Sequence, residues 1–501
     1  MRILYVTASQ AYFTNNVYDF DHSFSQYSKH DLFYFDISKN AFDIDLHAFD
    51  AILFSYSFLA HTDKFSHSLT KKINKFTGLK IPVLQDDYLY FLKHRDNLAA
   101  FGINAIVTIV PPQYWDKVFF GPFAHLPKLQ VLTGYVTENM ERQFSERLPL
   151  NARKWKIGYR SRPMKPIFGA LCHEKFEIGS TIKQLCEREG ISCNIEVAEE
   201  KRIYGKAWPA FIRNCQVLLG TESGCNVFDF SGKIDKKIKA YQKKFPEAGF
   251  WDIHKNCIGE AEGIIKTNQI SPRIFEAVAL GTGHILFEGE YSGIIKPWEH
   301  YIPLKKDYSN IDEVLTALGD LELLERMITR SYEDVVASGK YSYRVFVGQV
   351  DKFLESLPAK NNSVKKMPYS SKIERYAPQR LCNLDTFPLQ RKAEQNTHEI
   401  AQKYVGKNIL VYGAGAAYRK YIKYFSGSHI LGIILDDDFL DQNPAPMPDA
   451  PYMSFEQAAQ CKKKVDGIII FCRPQFCFAM SEKIADFSNL PQIPECCVLF
   501  L

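Results

Sequence analysis

Short apolar runs recur along this chain, each followed by a polar or amphipathic stretch long enough for a helix. That alternation limits the fold more than any other feature. The first runs fall at residues 2–8 (Arg-Ile-Leu-Tyr-Val-Thr-Ala), 32–35, 51–55, 81–85, 105–110 and 130–133. Strands separated by crossover helices lie parallel, so the pattern predicts a parallel α/β sheet. The alternation breaks in the polar segment 138–154 and restarts at Trp155-Lys-Ile-Gly-Tyr159, with further runs at 193–197, 216–220 and 284–287. This reads as a second α/β unit of similar size, closed by a helical tail over residues 312–357. Residues 358–395, with Pro368, Pro378 and Pro388, read as a linker. A third α/β unit begins at Ile409. The expected division is 1–145, 146–357, a linker at 358–400, and 401–501. Ligands of such sheets sit in the crevice beyond the carboxyl ends of the strands, here between the first two units.

Five hundred and one residues suffice for two to four domains, and a hydrophobic content of 46% supplies their cores. No uninterrupted apolar stretch reaches the roughly 18 residues of a membrane span. The opening Met-Arg-Ile-Leu-Tyr-Val-Thr reads as a buried strand, not as a signal peptide. The 12 cysteines show neither metal-ligand nor disulfide-framework spacing, which points to reduced thiols and a cytoplasmic location. A net charge of +5 is mild. It suits anionic substrates or peripheral contact with the anionic inner face of a membrane, and does not argue for nucleic acid.

The most informative local motif is Ile270-Ser-Pro-Arg-Ile-Phe-Glu-Ala-Val-Ala-Leu-Gly281. Pro272 and Gly281 mark the start and stop of a helix, and a short strand follows at 285–287. Backbone N–H groups and the positive dipole end at such a start favour an anion, with Ser271 and Arg273 beside it. Glu276, one turn further in, is placed to accept hydrogen bonds from a ribose. Arg160 and Arg162 follow the strand 155–159 directly, where guanidinium forks fit phosphate oxygens. Gln216-Val-Leu-Leu-Gly-Thr-Glu-Ser-Gly224 ends another strand in a carboxylate, a hydroxyl and a glycine.

Lys233, Lys236, Lys237, Lys239, Lys243 and Lys244 fall on one predicted helix, read as a solvated face or as a contact to an anionic acceptor or membrane. In the first unit, Ile81-Pro-Val-Leu-Gln-Asp-Asp-Tyr88 closes a strand with two carboxylates. Alternation along an extended backbone lets only one of Asp86 and Asp87 face the cleft as a base. His94 is an alternative. The aspartate groups at Asp43 and Asp45 and at Asp436 to Asp438 read as solvated, so no metal site is expected.

Taken together, Ile270-Ser-Pro-Arg-Ile-Phe-Glu-Ala, Gly281 and Glu290-Tyr-Ser-Gly293 resemble the donor-binding motif of group-1 glycosyltransferases, in particular the spore-maturation-type branch of bacterial surface-polysaccharide loci. Gly158-Tyr-Arg-Ser-Arg-Pro163, Leu219-Gly-Thr-Glu-Ser-Gly224, Gln85-Asp-Asp-Tyr88 and Leu132-Thr-Gly-Tyr-Val136 look like further motifs of that branch. The resemblance implies a GT-B architecture: two facing Rossmann-like domains, the acceptor on the first and a nucleotide-sugar co-substrate on the second. It implies no catalytic metal and no further cofactor. The acceptor class it implies is a glycan, glycolipid or protein. Carried over, Arg160, Arg162, Ser271, Arg273, Glu276, Ser292 and Gly293 would bind the donor, and Asp86, Asp87 and Glu222 would serve catalysis. One position departs from the pattern. The first glutamate of the family's paired-glutamate motif is Asn268 here, and Glu222 could supply the missing carboxylate.

The third unit opens with Ile409-Leu-Val-Tyr-Gly-Ala-Gly-Ala-Ala-Tyr418, and a strand at 431–435 runs into Asp436. This resembles a dinucleotide fingerprint with Tyr418 at the third glycine. A structural or docking role is expected of it. Two alternatives stay open for the whole chain: a catalytically silent nucleotide-binding scaffold in a polysaccharide assembly complex, and an NAD-dependent sugar-modifying enzyme centred on the third unit.

Overall fold

The structure is a computed structural model. It describes residues 1–8, 15–37, 42, 44–59, 67–85, 88, 91–205, 207–358, 400–412, 418, 422–435, 450–460, 465–471 and 496–499. The chain divides into two compact units, Met1–Thr386 and Phe387–Leu501.

The larger unit contains two sheets. The first comprises β1 (Arg2–Thr7), β2 (Asp31–Asp36), β3 (Ala51–Phe54), β4 (Leu79–Leu84), β5 (Ile106–Thr108) and β6 (Lys128–Gln130), in the order β2-β1-β3-β4-β5-β6. The second comprises β7 (Trp155–Arg160), β8 (Cys193–Glu196), β9 (Cys215–Gly220), β10 (Gly283–Phe287) and β11 (Ile302–Leu304), in the order β11-β10-β9-β7-β8. Every pairing is parallel. Strand order reverses between β1 and β3 and again between β7 and β9, so each sheet has one crevice at its carboxyl end. Near-continuous burial along β1, β4 and β10 is what strands covered on both faces require.

The carboxyl ends of the two sheets face each other. Gln269 exchanges backbone hydrogen bonds with Ser223, just past β9, and its Nε2 donates to the Ile109 carbonyl just past β5 at 3.2 Å. Thr133 Oγ1 donates to the Ile270 carbonyl at 2.8 Å. These contacts join two Rossmann-like halves across a cleft, the GT-B arrangement.

The chain leaves the first half at Val136 and returns to it at Tyr343, and these two crossings are hydrogen-bonded side by side. Val136 N–H donates to the Tyr341 carbonyl and Tyr343 N–H donates to the Val136 carbonyl. The returning helix Tyr343–Ser356 then packs Phe346, Val347, Val350 and Leu354 into the core of the first sheet, against Phe20 and Phe24. The tail expected to close the second half therefore ends on the first. Its apolar stripe carries no mark of which sheet it serves, and only the reversal at Val136 decides it. The insertion between β9 and the helix Pro272–Ala279 also crosses, placing Phe228 and Ile265 in the first half's core.

The smaller unit is a third parallel sheet: β12 (Asn408–Tyr412), β13 (His429–Ile434), β14 (Tyr452–Met453), β15 (Gly467–Phe471) and β16 (Cys496–Leu499), in the order β14-β13-β12-β15-β16. The glycine turn after β12 and Asp436 lie outside the described residues. Tyr418 is buried among Ile409, Val411 and Phe425, filling with a ring the space a third glycine would leave for close packing. Among the described residues no helix is long and apolar enough to cross a membrane.

Candidate functional site

The helix Pro272–Ala279 anchors the site. Pro272 fixes its first turn, and Ile274, Phe275, Val278 and the two alanines are buried. Burying each large apolar side chain contributes roughly 1.5–3 kcal/mol, enough to hold a two-turn helix that could not persist alone. Gly281, with φ of 65°, ends the helix, and a Cβ there would lie 2.4 Å from Arg147 Cδ.

Between this helix and the β7/β9 switch point lies a cavity of about 260 Å³. Arg160, Arg162, Lys175, Arg202 and Arg273 line it together with Ser161, Thr221, Ser223, Ser271, Trp208 and His284, and among the described residues no carboxylate lines it. Five cations around one crevice, two of them shared with Glu199 at its rim, fit a ligand with several negative charges, such as a diphosphate.

The cations are placed differently. Arg160 is buried: it donates to the Tyr159 and Asn194 carbonyls at 2.7 and 2.8 Å and to Asn194 Oδ1 at 2.8 Å, and it lies over the Phe211 ring. Its guanidinium thus braces the ends of β7 and β8, and burial lowers its pKa. Arg273 Nη1 donates to the Arg160 carbonyl at 2.6 Å, so the two arginines form a relay of position. Arg162 and Arg202 both meet the exposed Glu199, each at 3.0 Å.

Glu276 lies one turn into the helix but lines a neighbouring cavity of about 460 Å³, together with Tyr18, His22, Arg142 and Tyr343. Trp208 lines both cavities, and its Nε1 donates to Glu276 Oε2 at 2.7 Å. Burial raises the Glu276 pKa, against the lowering effects of the Trp208 hydrogen bond and the Arg273 charge. His284, on β10 at the floor of the smaller cavity, is 5% exposed. Burial lowers its pKa to about 4, so the imidazole is neutral at ordinary pH.

A second cluster surrounds Glu222, which is 3% exposed. Its Oε1 accepts from the backbone N–H groups of Glu290 and Tyr291 at 2.7 and 2.9 Å, and its Oε2 accepts from Asn268 Nδ2. Asn268, Tyr291 and Ser292 all have positive φ, at 39°, 45° and 56°. Non-glycine residues hold such angles at a cost of about 1–3 kcal/mol each, and they gather at functional sites. Gly289 is required here, since a Cβ would lie 2.6 Å from Glu222 Cδ. Ser292 Oγ accepts from Ile270 N–H at 3.1 Å, tying this loop to the helix start, while the space around Gly293 is open.

The structure thus gathers Arg160, Arg162, Ser271 and Arg273 around one cavity, sets Glu276 beside it across Trp208, and puts Glu222 and Ser292 in the adjoining loop cluster. Asp86 and Asp87 lie outside the described residues, as does the His94 side chain. Lys175, Arg202, Trp208 and His284 went unpredicted. Arg202 alone carried a usable signal, standing in a charged run soon after an apolar strand. Among the described residues no group of three or more His, Cys, Asp or Glu side chains comes together.

No protein-family model matches the sequence, and neither does any curated protein. Several solved structures do superpose. HepE of Anabaena in complex with UDP-glucose gives a TM-score of 0.42 at 11% identity, over 71% of this chain and 100% of that one. T4 phage BGT in complex with its UDP-glucose substrate gives 0.38 at 12% identity, over 71% and 100%. TarM of S. aureus gives 0.36 at 10% identity over 62% of this chain, which spans little more than half of TarM, 56%.

Proposed function

We propose that the chain is a glycosyltransferase that moves a sugar from a nucleotide-sugar donor to a glycan, glycolipid or protein acceptor, in the synthesis of bacterial surface polysaccharide. The observation that carries this reading is the cation-lined cavity at the β7/β9 switch point, formed by Arg160, Arg162, Lys175, Arg202 and Arg273. Arg273, Arg162, Arg202 and Lys175 neutralise the donor's diphosphate, while Arg160 acts from behind by holding Arg273 through its carbonyl. Glu276, released from or shared with Trp208, takes the ribose. Charge builds on the leaving diphosphate as the sugar–phosphate bond breaks, and fixed cations stabilise it by several kcal/mol. The proton of the acceptor hydroxyl goes to a base on the first half, for which Asp86 and Asp87 remain the candidates. The donor is a co-substrate, and the reaction as proposed uses no other cofactor and no metal.

A thermal-shift series with UDP, GDP, CMP, dTDP and ADP tests the reading. A ligand present at about 100 times its Kd stabilises the native state by about 2.7 kcal/mol. One nucleotide should raise the melting temperature of the wild type and leave Arg273→Ala unmoved. No shift with any of them overturns the proposal.

One observation favours a second reading, the catalytically silent nucleotide-binding scaffold. Glu222, the carboxylate that would replace the glutamate missing at Asn268, is already engaged by three N–H donors. A chain that binds a nucleotide but neither transfers nor hydrolyses any donor sugar would be that scaffold.

A further inference from the structure

Trp208 stands in the first turn of the short helix Ala207–Arg213 and lines both cavities. Pro209 is tolerated beside it because the first turn of a helix has backbone N–H groups to spare. Phe211 and Ile212 anchor the helix, buried with Leu218, Ala277 and Leu280. Trp208 and Phe211 lie three residues apart on one face, and their rings stack at 5.7 Å with 24° between the planes. The Arg273 guanidinium lies 5.6 Å from the indole centroid. With a ring and a cation fixing the indole, its N–H points in one direction, and it donates to Glu276 Oε2 at 2.7 Å.

Glu276 is half-buried and lines the larger cavity, and its other oxygen, Oε1, has no hydrogen-bond partner among the described residues. A carboxylate with one oxygen fixed and one open accepts hydroxyl hydrogen bonds in a defined direction. An unrestrained side chain loses that direction to its own torsional freedom. The same bond helps to keep the group charged: burial raises the Glu276 pKa, while the Trp208 hydrogen bond and the Arg273 charge lower it. The remaining titratable groups around the cavity are Tyr18, Asp19, His22 and Tyr27 on the helix Asn15–Tyr27, and Glu138, Arg142 and Tyr343 on the crossing segments. Among the described residues none of these hydrogen-bonds to Glu276, so Trp208 alone sets its orientation.

We propose that Trp208 is a positioning residue for nucleotide recognition: its N–H holds Glu276 so that the open oxygen reads ribose hydroxyls, and the site prefers nucleotides that carry them. The inference rests on the nucleotide-sugar reading and deepens it, making the ribose diol of a ribonucleoside diphosphate part of what is recognised. Isothermal titration of the full chain compares UDP, GDP and ADP with their 2′,3′-dideoxy analogues and with inorganic pyrophosphate. The wild type should prefer one ribonucleotide over its dideoxy analogue on the order of 100-fold, the effect of two hydroxyl bonds to a charged acceptor.

Trp208→Phe keeps a ring against Phe211 and beside Arg273 and removes the N–H. It should lower that preference about tenfold, and the remainder should disappear at a higher pH than in the wild type, because a lost donor raises the Glu276 pKa. Affinity for pyrophosphate, which meets only the cations, should stay the same. Glu276→Gln should abolish the preference, and adding Trp208→Phe to it should cost nothing further, since the two residues act as one unit. An unchanged preference in Trp208→Phe, or losses that simply add, overturns the role of Trp208 and leaves the nucleotide reading standing. An equal loss for pyrophosphate overturns it too, since Trp208 would then only prop Arg273. Binding of no nucleotide by the wild type overturns both.

Discussion

Asn268 donates its side-chain amide to the carboxylate of Glu222, although 46 positions separate the two residues. The amide stands where the family pattern calls for an acid, and the acid arrives from the end of a different strand. Glu222 also receives the N–H groups of Glu290 and Tyr291, so one buried carboxylate fixes the strained loop at residues 290–293. Glu222→Ala should leave these donors buried without partners and cost about 3 kcal/mol of stability. Asn268→Ala should cost about 1 kcal/mol, since it removes one bond of the three. Chemical denaturation of both variants checks the order, and equal losses would contradict the anchoring role.

Arg273 reaches the cavity while held by the Arg160 carbonyl, whereas Arg162 is exposed and already paired with Glu199. Arg273→Ala should therefore weaken nucleoside diphosphate binding about 10- to 100-fold, and Arg162→Ala by less than tenfold. Isothermal titration with the stabilising nucleotide measures both. A larger loss for Arg162 would reverse the assignment.

His284 predicts an acid sensitivity. Burial holds its folded pKa near 4, below the ordinary 6.5, so between those values the unfolded chain binds the extra proton. The contribution is complete above 6.5 and is lost as pH falls towards about 4, with a total of about 3 kcal/mol. Urea denaturation at about pH 7 and about pH 5 should show this fall in the wild type and a flatter response in His284→Leu. Identical slopes would mean that the imidazole is hydrated in the native state.

Gly134 is where the first half meets the start of the site helix. A Cβ there would lie 2.5 Å from Asn16 Oδ1 and 2.9 Å from Pro272 Cβ. Gly134→Ala should destabilise the larger unit by about 1–3 kcal/mol through overpacking and reduce nucleotide affinity by shifting Ser271 and Arg273. A variant with native melting and native affinity would show that the halves can separate there freely.

The sequence by itself determined the three parallel sheets, since apolar runs joined by helix-length polar stretches leave few other folds. It also determined the helix at Pro272 with Arg273 at its start, because proline, glycine and periodicity act locally. Only the tertiary structure decided that the helix Tyr343–Ser356 completes the first sheet and that Arg160 braces a strand end. It likewise decided that Trp208 stands between Glu276 and the cavity, and that Glu222 meets Asn268. The first depends on the crossings at Val136 and Tyr343, and the others on segments of the second half that lie tens of residues apart in the chain. A hydrogen bond across tens of residues leaves no period or spacing in the sequence that would mark it.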